Sequence, residues 1–223
     1  MSTSYSPKIV TDGLVLALDA ANVKSYPGSG TSWSDLSGNN NNGTLTNGPT
    51  FSGENGGSIV FDGVNDFVQC TGTVSLTAAT FIVWIRRNGT QGTYDGILFS
   101  RGTSVTGINF QASNQLGYHW NEIPNTYDWA SGLTLPDLAW SMCAVSVTST
   151  TATAYLYQAS GLTTATNTVS PTSTTLDDIK IAQDDEGGRF FNGNIAQASI
   201  YNRALTANEV LQNFNATRGR FGV

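Results

Sequence analysis

Short runs rich in β-branched and aromatic residues recur along most of this chain, and Gly, Asn or Thr stops nearly every one before it reaches helical length. Thr80 to Arg86, Gly96 to Ser100, Gly107 to Ala112 and Leu116 to Asn121 form one series, which reads as a meander. Trp140 to Thr148, Thr151 to Gln158, Asp178 to Gln183 and Asn194 to Asn202 continue it. The alternation is clearest where Ala154 and Leu156 interleave with Tyr155 and Tyr157, the period-two pattern of a strand. Strands at this spacing, with turn signals between them, predict an all-β fold, an antiparallel two-sheet jelly-roll sandwich.

Composition bounds that reading. Gly, Thr, Ser and Asn abound while Lys and Glu are scarce, which disfavours long helices. With 223 residues, 39% hydrophobic and 12% charged, the chain fills one sizeable core but not two, so residues 1–223 are expected to form a single domain. A formal net charge of −6, with Lys and Arg dispersed, argues against nucleic acid and anionic membranes as partners. No apolar run approaches the roughly 20 residues of a spanning helix, so no membrane insertion is expected. The opening MSTSYSPKIV lacks the apolar core of an export signal. Cys70 and Cys143, the only cysteines, lie in apolar strand-like segments and read as buried free thiols.

Leu14 to Asp19 reads as a buried strand, followed by a polar stretch from Ala20 to Gly57 of loop and short strands. Ser58 to Asp62 and Asp66 to Cys70 flank Gly63-Val64-Asn65 and are expected to pair as a hairpin. Near the C-terminus one short helix is signalled. Thr206 can cap it, Glu209 completes a capping box, and Leu205 with Val210 can staple the entry. Val210, Leu211 and Phe214 give this helix an apolar face to lay on the sandwich.

Three segments together resemble the laminin-G-like branch of the concanavalin A-like lectin/glucanase superfamily: Gly13 to Leu45, Gly56 to Gln69 (GGSIVFDGVNDFVQ) and Phe190 to Phe221, which begins FFNGNIAQASIYNRAL. The resemblance covers nearly the whole chain and is weakest between Val105 and Thr175. Its motifs specify fold, because Gly63 and Asn65 tolerate the backbone of a tight turn while the flanking Phe and Val enter a core. Stand-alone domains similar to this one are frequent among bacteriophage proteins. The resemblance therefore implies a virion-surface component, with glycans, or capsid or tail proteins, as partners.

The same superfamily includes glucanases, whose retaining members set two carboxylates about 5 Å apart on alternate residues of one strand. No such spacing occurs: Asp177 and Asp178, like Asp184 to Glu186, are consecutive. His119 is the single histidine, and in Leu116-Gly117-Tyr118-His119-Trp120 it reads as a strand residue rather than as the base of a catalytic triad. No catalytic residue is assigned, and the chain is not expected to be an enzyme.

Two segments carry candidate ligands. Asp184, Asp185 and Glu186 form an acidic turn whose carboxylates and carbonyls could supply oxygens to calcium. By resemblance this turn matches the calcium-ligating turn of pentraxins, although the companion ligand cluster falls at Thr106-Gly107, which has no carboxylate; the alternative is a solvated acidic turn. In pentraxins the position of Cys143 holds half of a disulfide, but its partner position here is Trp84, so the resemblance implies free thiols. The second segment holds Tyr118, Trp120, Tyr127 and Trp129 around Glu122, Asn125 and Asp128. Aromatic faces stack on sugar rings and polar groups meet their hydroxyls, so this is the glycan candidate. Alternation sends Tyr118 and Trp120 into the core and leaves Tyr127 and Trp129 for stacking. The expectation is a non-catalytic carbohydrate-binding module, with a virion structural or decoration protein as the alternative.

Overall fold

The computed structural model describes residues 7–223; the first six, part of the stretch read for an export signal, lie outside the described residues. The first strands are β1 (Leu14–Asp19), β2 (Ser32–Trp33), β3 (Gly43–Thr46), β4 (Thr50–Ser52), β5 (Ser58–Asp62) and β6 (Phe67–Cys70). Next come β7 (Val74–Leu76), β8 (Ala79–Arg87), β9 (Gly96–Arg101), β10 (Val105–Gln111), β11 (Gln115–Trp120) and a single helical turn, α1 (Pro124–Tyr127). The chain continues through β12 (Ser141–Val147), β13 (Thr151–Gln158), β14 (Gly161–Thr168), β15 (Thr174–Leu176), β16 (Ile179–Ile181) and β17 (Asn192–Tyr201) to helix α2 (Ala207–Thr217).

Two antiparallel sheets face one another. The larger runs β14-β13-β12-β8-β17-β5-β4, with β1 also on β17; the smaller runs β11-β10-β9-β16-β6-β3-β2. A short β15-β7 ribbon stands beside them. Phe81, Val83, Ile85, Cys143 and Val145 from one sheet meet Val68, Leu98, Ile108, Tyr118 and Trp120 from the other in the main core. β8 reads as an unbroken apolar run because both its faces are covered. Its Ile82 and Trp84 point the other way, into a second cluster beneath α2. There Trp84 stacks on Phe221 at 4.0 Å and on Phe214 at 5.8 Å.

The capping box forms as the sequence predicts: Thr206 Oγ1 accepts from the Glu209 N–H at 3.3 Å, and Glu209 Oε2 accepts from the Thr206 N–H at 2.8 Å. Leu205, Val210 and Phe214 are buried, but Leu211 is 41% exposed; the inward position expected of it goes to Asn213, which hydrogen-bonds Tyr201 and the Val10 N–H. Both cysteines are free and buried, and burial pushes their thiol pKa values up, to about 12 for Cys70.

Two pairings differ from expectation. β5 and β6 are no hairpin: β5 pairs with β17 and β4, whereas β6 pairs with β3 and β16 in the opposite sheet. Asp62 Oδ1 takes the N–H groups of Val64 and Asn65, and Asp66 Oδ2 takes that of Asp62, so side chains turn the chain through a corner where a hairpin ladder would otherwise form. Likewise β8 joins β12 and β17, so β9, β10 and β11 run as one meander in the smaller sheet and β12, β13 and β14 as another in the larger. No helix among the described residues is long and apolar enough to cross a membrane.

Candidate binding site

Alternation along β11 sends Tyr118 and Trp120 into the core and turns His119 onto the outer face of the smaller sheet. Register then sets His119 opposite Gly107, and Gly107 opposite Phe99. Because Gly107 has no side chain, the Phe99 ring reaches His119 edge-on at 5.6 Å; a Cβ on Gly107 would lie 2.9 Å from that ring.

Three loops rise around this floor and enclose a pocket of about 180 Å³ lined by Tyr94, Arg101, His119, Glu122, Tyr127, Glu186 and Arg189. The first loop is tied to β10 by Tyr94 N–H on Phe110 O at 2.7 Å. In the second, Thr126 Oγ1 accepts from Trp120 N–H at 3.0 Å, and the Gln111 amide donates to Tyr127 O at 2.6 Å, so the one-turn helix α1 holds Tyr127 over His119 with ring centroids 4.9 Å apart. The third is the acidic turn, which lies against Gly96 so closely that a Cβ there would sit 2.1 Å from the Gln183 carbonyl carbon. Tyr94 (φ 73°) and Glu122 (φ 60°) both hold left-handed backbone, a strain of about 1–3 kcal/mol each that clusters at ligand sites.

The electrostatics are set by Asp184, which is fully buried. Arg101 grips it through Nε at 2.6 Å and Nη2 at 3.1 Å, and Arg189 Nη1 reaches it at 3.0 Å. Arg101 Nη1 also meets Glu186 at 3.2 Å and Glu122 at 3.9 Å. The Arg189 guanidinium stacks 4.8 Å from the Tyr94 ring centroid. His119 is only 6% exposed, and neither ring nitrogen has a hydrogen-bond partner among the described residues. Burial, then the facing Arg101 and Arg189 charges, push its pKa down to about 4 against a weaker opposing pull from Glu186, so the ring is neutral at pH 7.

Glu122, Tyr127 and Glu186 therefore meet in one pocket although they come from two segments read separately. Asn125, Asp128 and Trp129 stand outside its lining. Asn125 instead donates to Thr168 O at 3.3 Å, and Trp129 packs edge-on to Tyr118 at 5.6 Å, partly buried against the core rather than offered for stacking. The sequence singles out none of Tyr94, Arg101 and Arg189 and marks His119 only as a strand residue; the β11 alternation is the one signal that turns it outward.

The acidic turn does not fit calcium. Asp184 is claimed by two guanidiniums, Asp185 pairs with Lys180 at 2.6 Å, and Glu186 answers Arg101 and Arg189. Among the described residues no group of three or more Asp, Glu, His or Cys is placed to hold a metal ion. Triad chemistry lacks its relay as well, since His119 touches neither a hydroxyl nor a carboxylate. Glu122 and Glu186 both face Arg101 with more than half of each side chain exposed.

Several solved structures share this fold. Domain 4 of AbnA, a GH43 extracellular arabinanase from Geobacillus stearothermophilus solved in complex with arabinotriose, is 17% identical with a TM-score of 0.67, over 91% of this chain and 98% of that one. The binding domain of Paraclostridial Mosquitocidal Protein 1 is 17% identical with a TM-score of 0.67, over 92% of this chain and 52% of that one. Trypanosoma rangeli sialidase is 12% identical with a TM-score of 0.63, over 97% of this chain but only 36% of the sialidase. At such identities the likeness is one of fold. No curated protein matches the sequence. Residues 62–211 match a laminin-G family model, and the chain belongs to the concanavalin A-like lectin/glucanases superfamily.

Proposed function

We propose that this chain is a non-catalytic carbohydrate-binding module whose ligand enters the pocket floored by His119. The observation that carries this reading is the convergence of two tyrosine rings, Tyr94 and Tyr127, with hydrogen-bonding groups in one concavity held by strained loops. Aromatic faces take the apolar side of a sugar ring while polar groups meet its hydroxyls. A fold neighbour solved with arabinotriose supports it. On immobilised glycans, Tyr127→Ala is expected to weaken retention about tenfold through loss of the stacking face. Incubation with β-glucans and bacterial polysaccharides is expected to release no reducing sugar. Reducing-sugar release, or glycan retention indifferent to Tyr127→Ala, overturns the reading.

Display on a bacteriophage virion rests on the resemblance of the terminal segments, and many copies there would supply avidity to a weak site. An apolar groove of about 510 Å³, lined by Trp140, Gln158 and Phe221 among others, favours a second reading in which the same domain packs on a capsid or tail protein. Co-sedimentation with virions that survives excess free glycan would support that second reading.

A further inference from the structure

His119 poses a problem that the fold does not solve. A buried polar atom without a partner costs about 1–3 kcal/mol, and this side chain, which lines the floor of an open pocket, carries two. Packing gives no reason for an imidazole here: the rings of Phe99, Tyr94 and Tyr127 surround it and offer its nitrogens no hydrogen bond. The nitrogens are therefore spare for something that enters. In its neutral form the ring has one N–H donor and one bare acceptor on diverging sides, and a hydroxyl, which both donates and accepts, can meet either of them.

Charge narrows the ligand further. Two cations, Arg101 and Arg189, face three carboxylates, Asp184, Glu122 and Glu186. Every terminal nitrogen of Arg101 already lies within ion-pair or hydrogen-bond reach of a carboxylate, and Nη1 of Arg189 is shared between Asp184 and Glu186. An anionic sugar would enter a locally acidic site and compete with these carboxylates for the guanidiniums. A cationic sugar would find Asp184 buried and Glu186 held by both arginines, with only Glu122, 3.9 Å from Arg101, loosely held. At about 180 Å³ the pocket is smaller than the ~300–1,000 Å³ typical of drug-sized ligands, which suits one ring.

We propose that the pocket selects the terminal ring of an uncharged saccharide and that His119 reads one of its hydroxyls through a ring nitrogen. This rests on the binding-module reading above. Tyr127 and Tyr94 supply the stacking walls, while the paired arginines hold the loops in place and the surrounding carboxylates disfavour acidic sugars.

The chain has a single histidine, so its ring resonances are unambiguous in long-range proton–nitrogen NMR spectra. Arabinotriose, cellotriose and galactobiose serve as uncharged probes, with digalacturonic acid and sialyllactose as acidic ones, all at neutral pH. At least one uncharged probe is expected to shift a His119 ring nitrogen and to bind at least tenfold tighter than either acidic probe. His119→Phe, which keeps an aromatic ring without the nitrogens, should weaken that probe about tenfold. Should this variant fail to fold, the wild-type ring shifts decide alone. If an uncharged probe binds while both nitrogens stay unmoved, or if the acidic probes bind tighter, this inference falls and the binding-module reading stands. If no probe of either kind binds the wild type, both fall.

Discussion

At the scale of single residues, the His119 imidazole has consequences even without a ligand. Its pKa falls from 6.5 to about 4 on folding, first through burial and then through Arg101 and Arg189. Between those values the unfolded chain binds a proton that the folded chain refuses. Folding stability attributable to His119 is thus complete above about pH 6.5 and declines as the pH drops towards 4, by at most about 1.4 kcal/mol per pH unit. The stability of the wild type relative to His119→Phe should therefore fall over this window in urea titrations. A difference that is flat with pH would mean that the ring is solvated in the folded state. The outward turn of His119 was legible in the sequence, since Tyr118 and Trp120 occupy the alternate positions. Its company was not, because Tyr94, Arg101 and Arg189 reach it from other elements.

At the scale of elements, the acidic turn and the helix α2 make a contrast. The capping box of α2 is a local device, two residues three apart satisfying one another's backbone, so Thr206 and Glu209 could be read directly. The turn from Asp184 to Glu186 has the same local clarity, yet its meaning is decided by distant cations: Arg101 lies 83 residues from Asp184 in sequence. With its carboxylates engaged, the turn should give no rise in melting temperature with millimolar calcium, whereas Asp184→Asn should cost about 2–3 kcal/mol. That estimate takes the roughly 3–5 kcal/mol of a broken buried pair and discounts it because the Arg101 and Arg189 side chains keep 20% and 25% of their exposure. A calcium-dependent thermal shift that Asp184→Asn abolishes would restore the metal reading.

At the scale of the whole molecule, one core runs between both sheets and a second seals α2 onto the larger sheet through Trp84 and Phe214. Because β8 and β12 contribute to both clusters, the two should melt together. Far-ultraviolet circular dichroism and tryptophan fluorescence should report coincident transitions in denaturant; separated midpoints would divide the chain into independent units. The sequence by itself determined the strand count's rhythm, the antiparallel sandwich class, the free buried thiols and the capped helix, since each depends on periodicity or on neighbours a few residues apart. Tertiary structure alone decided that Ser58–Asp62 and Phe67–Cys70 part company into opposite sheets, because a corner and a hairpin use the same turn residues. It also decided that Glu122, Tyr127 and Glu186 share a pocket while Trp129 does not. A site assembled from three loops depends on strand register across a sheet, and register is fixed by the packing of the whole sandwich rather than by any one segment.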